Sequence, residues 1–179
     1  MPIIHKVARC RSRLTGLLAI VLSAGVIGLA ACAPTPQMLR LADGTEVFYL
    51  SNTSVKSAGD YPRTREISID GEAFIRAAAA AQPLIIRSRL MVLTASGSSA
   101  LRVTARWSEA GEEADVLYGR VEARKAYPSP QAEPDTLLAG EEVMVNETID
   151  LQEKETADVA SLRSWSDALM ASVARRNGR

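Results

Sequence analysis

The chain has 179 residues, with 21 lysines and arginines against 21 aspartates and glutamates, a formal net charge of zero. That balance excludes the strongly basic footprint of a nucleic-acid binder. A single histidine and two cysteines leave little material for metal or thiol chemistry.

In chain order, the first feature is a basic stretch carrying Lys6, Arg9, Arg11 and Arg13 without an acidic residue, followed by an apolar run from Leu17 to Ala30. Positive n-region, short h-region and small residues at a cleavage point are the order of a secretory signal. The run is shorter than the roughly 20 residues a membrane span needs, and Gly25 and Gly28 lower its helix propensity. It closes on Leu29-Ala30-Ala31-Cys32.

That small-small-Cys ending resembles the lipobox of bacterial lipoproteins. The resemblance implies cleavage before Cys32 and attachment of acyl chains, palmitate among them, to that cysteine. Residues 1–31 are then the signal peptide, and the mature protein is tethered to a membrane of the cell envelope. In the same family Ala33 after the cysteine, where aspartate would retain the protein at the inner membrane, implies the periplasmic side of the outer membrane.

Removing the signal also removes His5 and Cys10. The mature chain then lacks histidine, and its one cysteine is acylated. No disulfide can form within it, so its core must hold it together. Four basic residues leave as well, so 17 basic side chains remain against 21 acidic ones. This mild negative charge again argues against a nucleic-acid partner.

Residues 32–40, with the stretch Ala33-Pro34-Thr35-Pro36-Gln37, read as a tether. Residues 41–179 have the length of a single domain that can bury a core unaided. Short strands are expected at Glu46 to Ser51 and Arg65 to Ile69. Asp70 then reads as the cap of a short N-terminal helix running into the Ala77 to Ala81 segment. Leu84 to Thr94 is expected as a strand, Ser96-Gly97-Ser98-Ser99 as a turn, and Leu101, Val103, Ala105 and Trp107 as the inward residues of the next strand. Val116 to Lys125 alternates once more, which gives an antiparallel meander. Tyr127 to Pro134 is a proline-rich loop, and Glu141 to Asn146 a further strand.

The last element is an amphipathic helix. Asp150 with Glu153 has the form of a cap, and Val159, Leu162, Trp165, Leu169 and Val173 recur at three- and four-residue spacing. Arg175 and Arg176 complement its dipole at the end. Strands and helices in separate blocks predict an α+β domain of two layers, a β-meander packed with the short helix and the C-terminal helix. Trp107 and Trp165 are both expected in the core.

Two surfaces are candidates for function. Pairing the meander places Arg87, Arg89, Arg102, Arg106, Arg120 and Arg124 on one side of the sheet, where guanidinium forks suit phosphate or carboxylate, so an anionic lipid is a candidate ligand. The competing reading is a solvated sheet face, with the carboxylate-rich segment 133–158 available to cover it. The Trp165 stripe is the second surface, and core packing is its ordinary explanation. Catalytic motifs are missing: there is no nucleophile elbow, no S-x-x-K, no phosphate-cradling loop and no H-E-x-x-H. The adjacent pairs Glu112–Glu113 and Glu141–Glu142 diverge rather than converge, so no catalytic, cofactor-binding or metal-ligating residue is expected.

The lipobox, the Tyr49-Leu50 pair in an early strand and the helical C-terminus are similar to auxiliary lipoproteins of ABC-type lipid transport systems. That similarity implies a non-enzymatic accessory or assembly subunit of an envelope transport or secretion complex, with an envelope protein as partner. The alternative is a structural or surface-attachment lipoprotein that binds other envelope proteins.

Overall fold

The computed structural model describes residues 33–131 and 133–178. The expected signal peptide and Cys32 lie outside the described residues. Ten strands and one helix follow one another: β1 Pro36–Arg40, β2 Glu46–Leu50, β3 Ser54–Ser57, β4 Glu66–Ala77, β5 Leu84–Arg87, β6 Met91–Ala105, β7 Gly111–Lys125, β8 Asp135–Leu138, β9 Glu141–Asn146, β10 Leu151–Thr156 and α1 Val159–Asn177. The stretch read as a tether is thus strand from Pro36 onward, paired with β2.

All strands belong to one mixed sheet in the order β1-β2-β4-β5-β6-β7-β9-β10, with β3 beside β4 and β8 beside β7. Every pairing is antiparallel except β4 with β5. The long strands change neighbours along their length. The first half of β4 lies between β3 and β5, and its second half between β2 and β6. In the same way β7 meets β9 early and β8 late, with β6 along its other side.

Alternation explains the core. Ile67, Ile69, Ala73, Ile75 and Ala77 of β4, Leu84 and Ile86 of β5, Leu101 and Val103 of β6, Val121 and Ala123 of β7 and Val143 and Val145 of β9 all turn to one face and are buried in a single cluster. The helix packs on the opposite face, against Phe48, Phe74 and Ala100 through Leu169 and Val173. The first face is therefore closed by the sheet curling over itself, while the second is half covered by α1. The layering of helix on sheet agrees with the expectation, but the protein is mostly β.

Four local expectations are corrected. No N-terminal helix forms at Asp70 to Ala81, because residues up to Ala77 are strand β4, zipped to β6 from Gly71↔Ala105 to Ala77↔Ser99. The local helix preference of alanine yields to two-sided strand pairing. The expected strand Leu84 to Thr94 breaks at Ser88–Leu90 into β5 and β6. Ser96 to Ser99 is no turn but a bulge inside β6, facing Gly119 of β7, where the register shifts between Ser96 and Ala100. The C-terminal helix forms, yet its cap is Asp158, which accepts from the Ser161 N–H at 3.0 Å. The expected cap at Asp150 instead precedes strand β10.

Two buried cations fasten loops to this frame. Arg65 donates to Asp43 at 2.8 Å and to the carbonyls of Ala78, also at 2.8 Å, and Gln82. Lys125, wholly enclosed, reaches Asp150 Oδ1 at 2.7 Å and Ser129 at 3.0 Å. Each charge is compensated where it is buried, as an interior charge must be.

Candidate functional site

Strand register builds the outer face one rung at a time. One rung runs Met38, Phe48, Phe74, Arg102, Asp115, Glu142, Glu155 across β1, β2, β4, β6, β7, β9 and β10. It is apolar at the β1 end and acidic at the β10 end, with Arg102 at the change. Trp165 of α1 sits over that point. Its ring meets Phe74 edge-to-face at 6.4 Å and lies 5.6 Å from the Arg102 guanidinium carbon.

Arg102 is held from the other side by carboxylates. Its Nε donates to Asp115 Oδ2 at 2.9 Å, and its Nη2 to Asp115 Oδ1 at 3.1 Å and Glu113 Oε1 at 2.9 Å. Burial, then the charge of Asp115, pushes the Glu113 carboxyl above its ordinary range, against the pull of Arg102. Burial and the charges of Asp115 and Glu113 push Glu142 up in the same way. Oxygens of Glu113, Asp115 and Glu142 lie within 4.8 Å of one another, a spacing that a cation could bridge. Arg102 already pairs with two of the three, Glu113 and Asp115, so the cluster reads as an ion-pair network in which carboxylates outnumber the cation.

The six arginines expected on one face do not form one patch. Arg102, Arg106, Arg120 and Arg124 do point outward from β6, its end and β7, and Arg87 outward from β5. Arg89 lies in the turn between β5 and β6, where its guanidinium meets Glu147 and the Glu109 carbonyl. Arg87 pairs with Glu66 at 2.9 Å, and Arg106 with Glu109 at 3.2 Å and Glu72 at 3.8 Å. Among the described residues, Arg120 and Arg124 alone of the six have no ion pair. Segment 133–158 does not cover the arginines; β9 and β10 extend the sheet edge-on and add Glu142 and Glu155 beside them.

A polar cavity of about 270 Å³ opens where β3, β4, the β5–β6 turn and the end of β6 meet. Lys56, Ser68 and Arg87 are register partners across β3, β4 and β5 and line one wall. Trp107, Glu112, Asp70 and Arg89 are among the residues that line the rest. Trp107 is 71% exposed, which corrects its expected place in the core. The strand ends at Ala105, and the following turn carries the indole outward, anchored by the Trp107 backbone N–H, which donates to Asp70 Oδ1 at 3.0 Å. Glu112 is only 3% exposed. Its Oε2 accepts from Ser88 and, at 3.0 Å, from the Leu90 N–H, while its Oε1 has no partner. Burial pushes this carboxyl above its ordinary range, partly offset by those hydrogen bonds and by Arg89. Sequence reasoning dismissed Glu112 and missed the cavity, because strand pairing alone brings Lys56, Arg87 and Glu112 together.

A second cavity, of about 330 Å³, lies between Pro34, Pro36 and Leu50 and the α1 residues Trp165, Leu169 and Ser172. Among the described residues no helix is long and apolar enough to cross a membrane.

No family model matches the chain, and no curated protein does. Two crystal structures of one protein from Parabacteroides distasonis ATCC 8503, at 1.65 Å and 2.50 Å resolution, carry the name "putative anti-sigma factor" and are similar to it. Each has a TM-score of 0.63 and 24% identity, covering 73% of this chain and 59% of that one. The chain thus spans about three fifths of the length of the protein it is similar to, and the likeness is one of fold.

Proposed function

We propose that this chain is a non-enzymatic envelope lipoprotein, held on the periplasmic side of the outer membrane through acylated Cys32, whose β domain is a subunit of a multiprotein envelope complex. The observation that carries the reading is the ending Leu29-Ala30-Ala31-Cys32 behind a basic and then apolar leader. Two acyl chains, at about 0.8 kcal/mol per buried CH₂, suffice for stable anchoring. The charged groups of the outer face support binding over chemistry, since Arg102 is committed to ion pairs with both Glu113 and Asp115.

Within that class, the fold shared with a protein named as an anti-sigma factor favours a regulatory complex that governs a sigma factor. A transport or secretion accessory is the second reading, favoured by the similarity to auxiliary lipoproteins of lipid transporters. Deleting the gene in its host separates them. Changed transcription of a discrete gene set, with an intact permeability barrier, is the regulatory outcome. A leaky envelope with unchanged transcription is the accessory outcome. Mass spectrometry of the membrane-derived protein tests the anchor: an unmodified Cys32 in the mature chain overturns it, and Cys32→Ser is expected to release the protein from the membrane fraction.

A further inference from the structure

We propose that the cavity between β3, β4 and the β5–β6 turn is a binding site for an acidic sugar, a single hydroxylated ring bearing a carboxylate or a phosphate. Its size sets the first limit. About 270 Å³ lies just below the roughly 300–1,000 Å³ typical of small-molecule sites, which admits one ring rather than a chain.

The wall formed by Lys56, Ser68 and Arg87 sets the charge. The three side chains stand on one rung, with a hydroxyl between two cations. Glu66 takes only the Nε of Arg87. The terminal nitrogens of Arg87 and the ammonium of Lys56 have no protein partner among the described residues, so they are available to an anion.

Glu112 sets the other end. Both of its donors, Ser88 and the Leu90 N–H, fall on Oε2, leaving the buried Oε1 without a hydrogen bond. A buried acceptor without a partner is a standing cost that a donor from a ligand removes. Inorganic phosphate alone does not fit, because it would set an anion against this carboxylate. Nor does an ammonium fit well, because the Arg89 guanidinium already neighbours Glu112. A neutral hydroxyl satisfies both constraints. The indole of Trp107 supplies the remaining surface: Arg89 stacks 5.7 Å from its centroid, and the exposed remainder offers an apolar platform for the C–H face of a ring.

The test is a titration of the purified full chain with glucuronate and with glucose 1-phosphate, followed by the two indole N–H resonances in the NMR spectrum. Glucose and inorganic phosphate serve as controls, and glycine as the zwitterion control. Saturable shifts of the Trp107 resonance with the acidic sugars, and a still Trp165 resonance, are expected. Glucose and phosphate should bind at least about tenfold more weakly, the loss that one charge-assisted hydrogen bond corresponds to. The double change Lys56→Gln and Arg87→Gln, on exposed or half-exposed side chains, should weaken acidic-sugar binding by at least about tenfold with thermal stability nearly unchanged. Trp107→Ala, followed by calorimetry, should abolish it. Absence of a Trp107 shift with either acidic sugar overturns the proposal. So does equal binding of glucose, phosphate or glycine, and so does affinity that survives the double change.

Discussion

Replacing Arg102 with Met keeps an aliphatic stem under Trp165 and removes the guanidinium. Three hydrogen bonds to Asp115 and Glu113 vanish, and with them the stacking on the indole. Asp115 is left buried with its charge uncompensated, a change that typically costs about 3–5 kcal/mol. Arg102 keeps 24% of its side chain exposed, so water screens part of the pair, and the expected loss is about 3 kcal/mol at pH 7. For a domain of this size that lowers Tm by roughly 6–12 °C. The pH dependence is a second signature. Glu113 and Glu142 already titrate above the ordinary 4.5, and losing the cation raises Glu113 further. The folded state then holds more protons than the unfolded chain between 4.5 and the raised values. The protonated carboxyls relieve the cluster below that window, and the relief is lost as pH rises through it. Urea unfolding of both proteins at pH 7 and pH 5 should therefore show a deficit that shrinks on acidification. A loss below about 1 kcal/mol at pH 7, or a deficit that grows at pH 5, refutes the account. In the Arg102→Met background, Asp115→Asn should restore part of the stability, since it removes the stranded charge.

The two tryptophans should part company. Trp165→Ala opens the seat of α1 on Phe74 and is expected to cost about 2–3 kcal/mol, while Trp107→Ala, on an exposed turn, should stay within about 0.5 kcal/mol; urea midpoints check both, and equal losses would return Trp107 to the core. Asp150 titrates below its ordinary 3.8 through hydrogen bonds from Lys125 and Ser129, so its contribution is present above that value and lost as pH falls through the depressed one. Asp150→Asn should flatten the acid limb of the stability curve, and superimposable limbs for the two proteins would sink the assignment. Gly119, at φ +95°, has no room for a Cβ, which would stand 2.7 Å from the Ser98 carbonyl and crowd Ser99. Gly119→Ala should cost about 2 kcal/mol or more, whereas Gly97→Ala at φ +68°, with open space around it, should cost only about 1 kcal/mol by thermal unfolding; the reverse order contradicts the bulge geometry.

What was legible in the sequence was whatever a single segment encodes. The 3.6-residue stripe of α1 and the alternation of β7 from Val121 to Lys125 are such features, and they hold, whereas Leu117 packs on the α1 side and not with Val121 and Ala123. What was not legible depends on which strand lies next door. Asp70 carries a helix-cap signal, and the alanines after it favour helix, but Ile67, Ile69, Ala73 and Ile75 also fit a strand. Only the pairing of β4 with β2, β3, β5 and β6 decides between them. Trp107 continued the alternation of Leu101, Val103 and Ala105 one step past the strand end, where alternation no longer reports burial. Parity places the arginines on one face, and five of the six do point outward, but Arg89 falls in the β5–β6 turn, where strand parity does not apply. Their carboxylate partners come from other strands, in a register that no local pattern contains.

The rung from Met38 to Glu155 also explains why α1 lies where it does. Its apolar stripe could in principle slide across the outer face, since strand spacing is the same on both sides of β6. On the β1 side it meets Phe48 and Phe74, and Leu169 and Val173 bury apolar area against them. On the β9 side it would have to cover Glu113 and Glu142 beside the already buried Asp115, and each solvated carboxylate taken from water without a new partner costs several kcal/mol. Trp165 marks the limit of the apolar half, with one edge on Phe74 and its face toward Arg102. The arginine is the one residue type that can stand at that boundary, because its planar cation stacks on the indole and forks to the carboxylates together. The position of the helix is thus set by the sequence of three strands at one register. It leaves Glu113, Glu142 and Glu155 of the acidic half in contact with solvent and the cavity beside β3 and β4 uncovered.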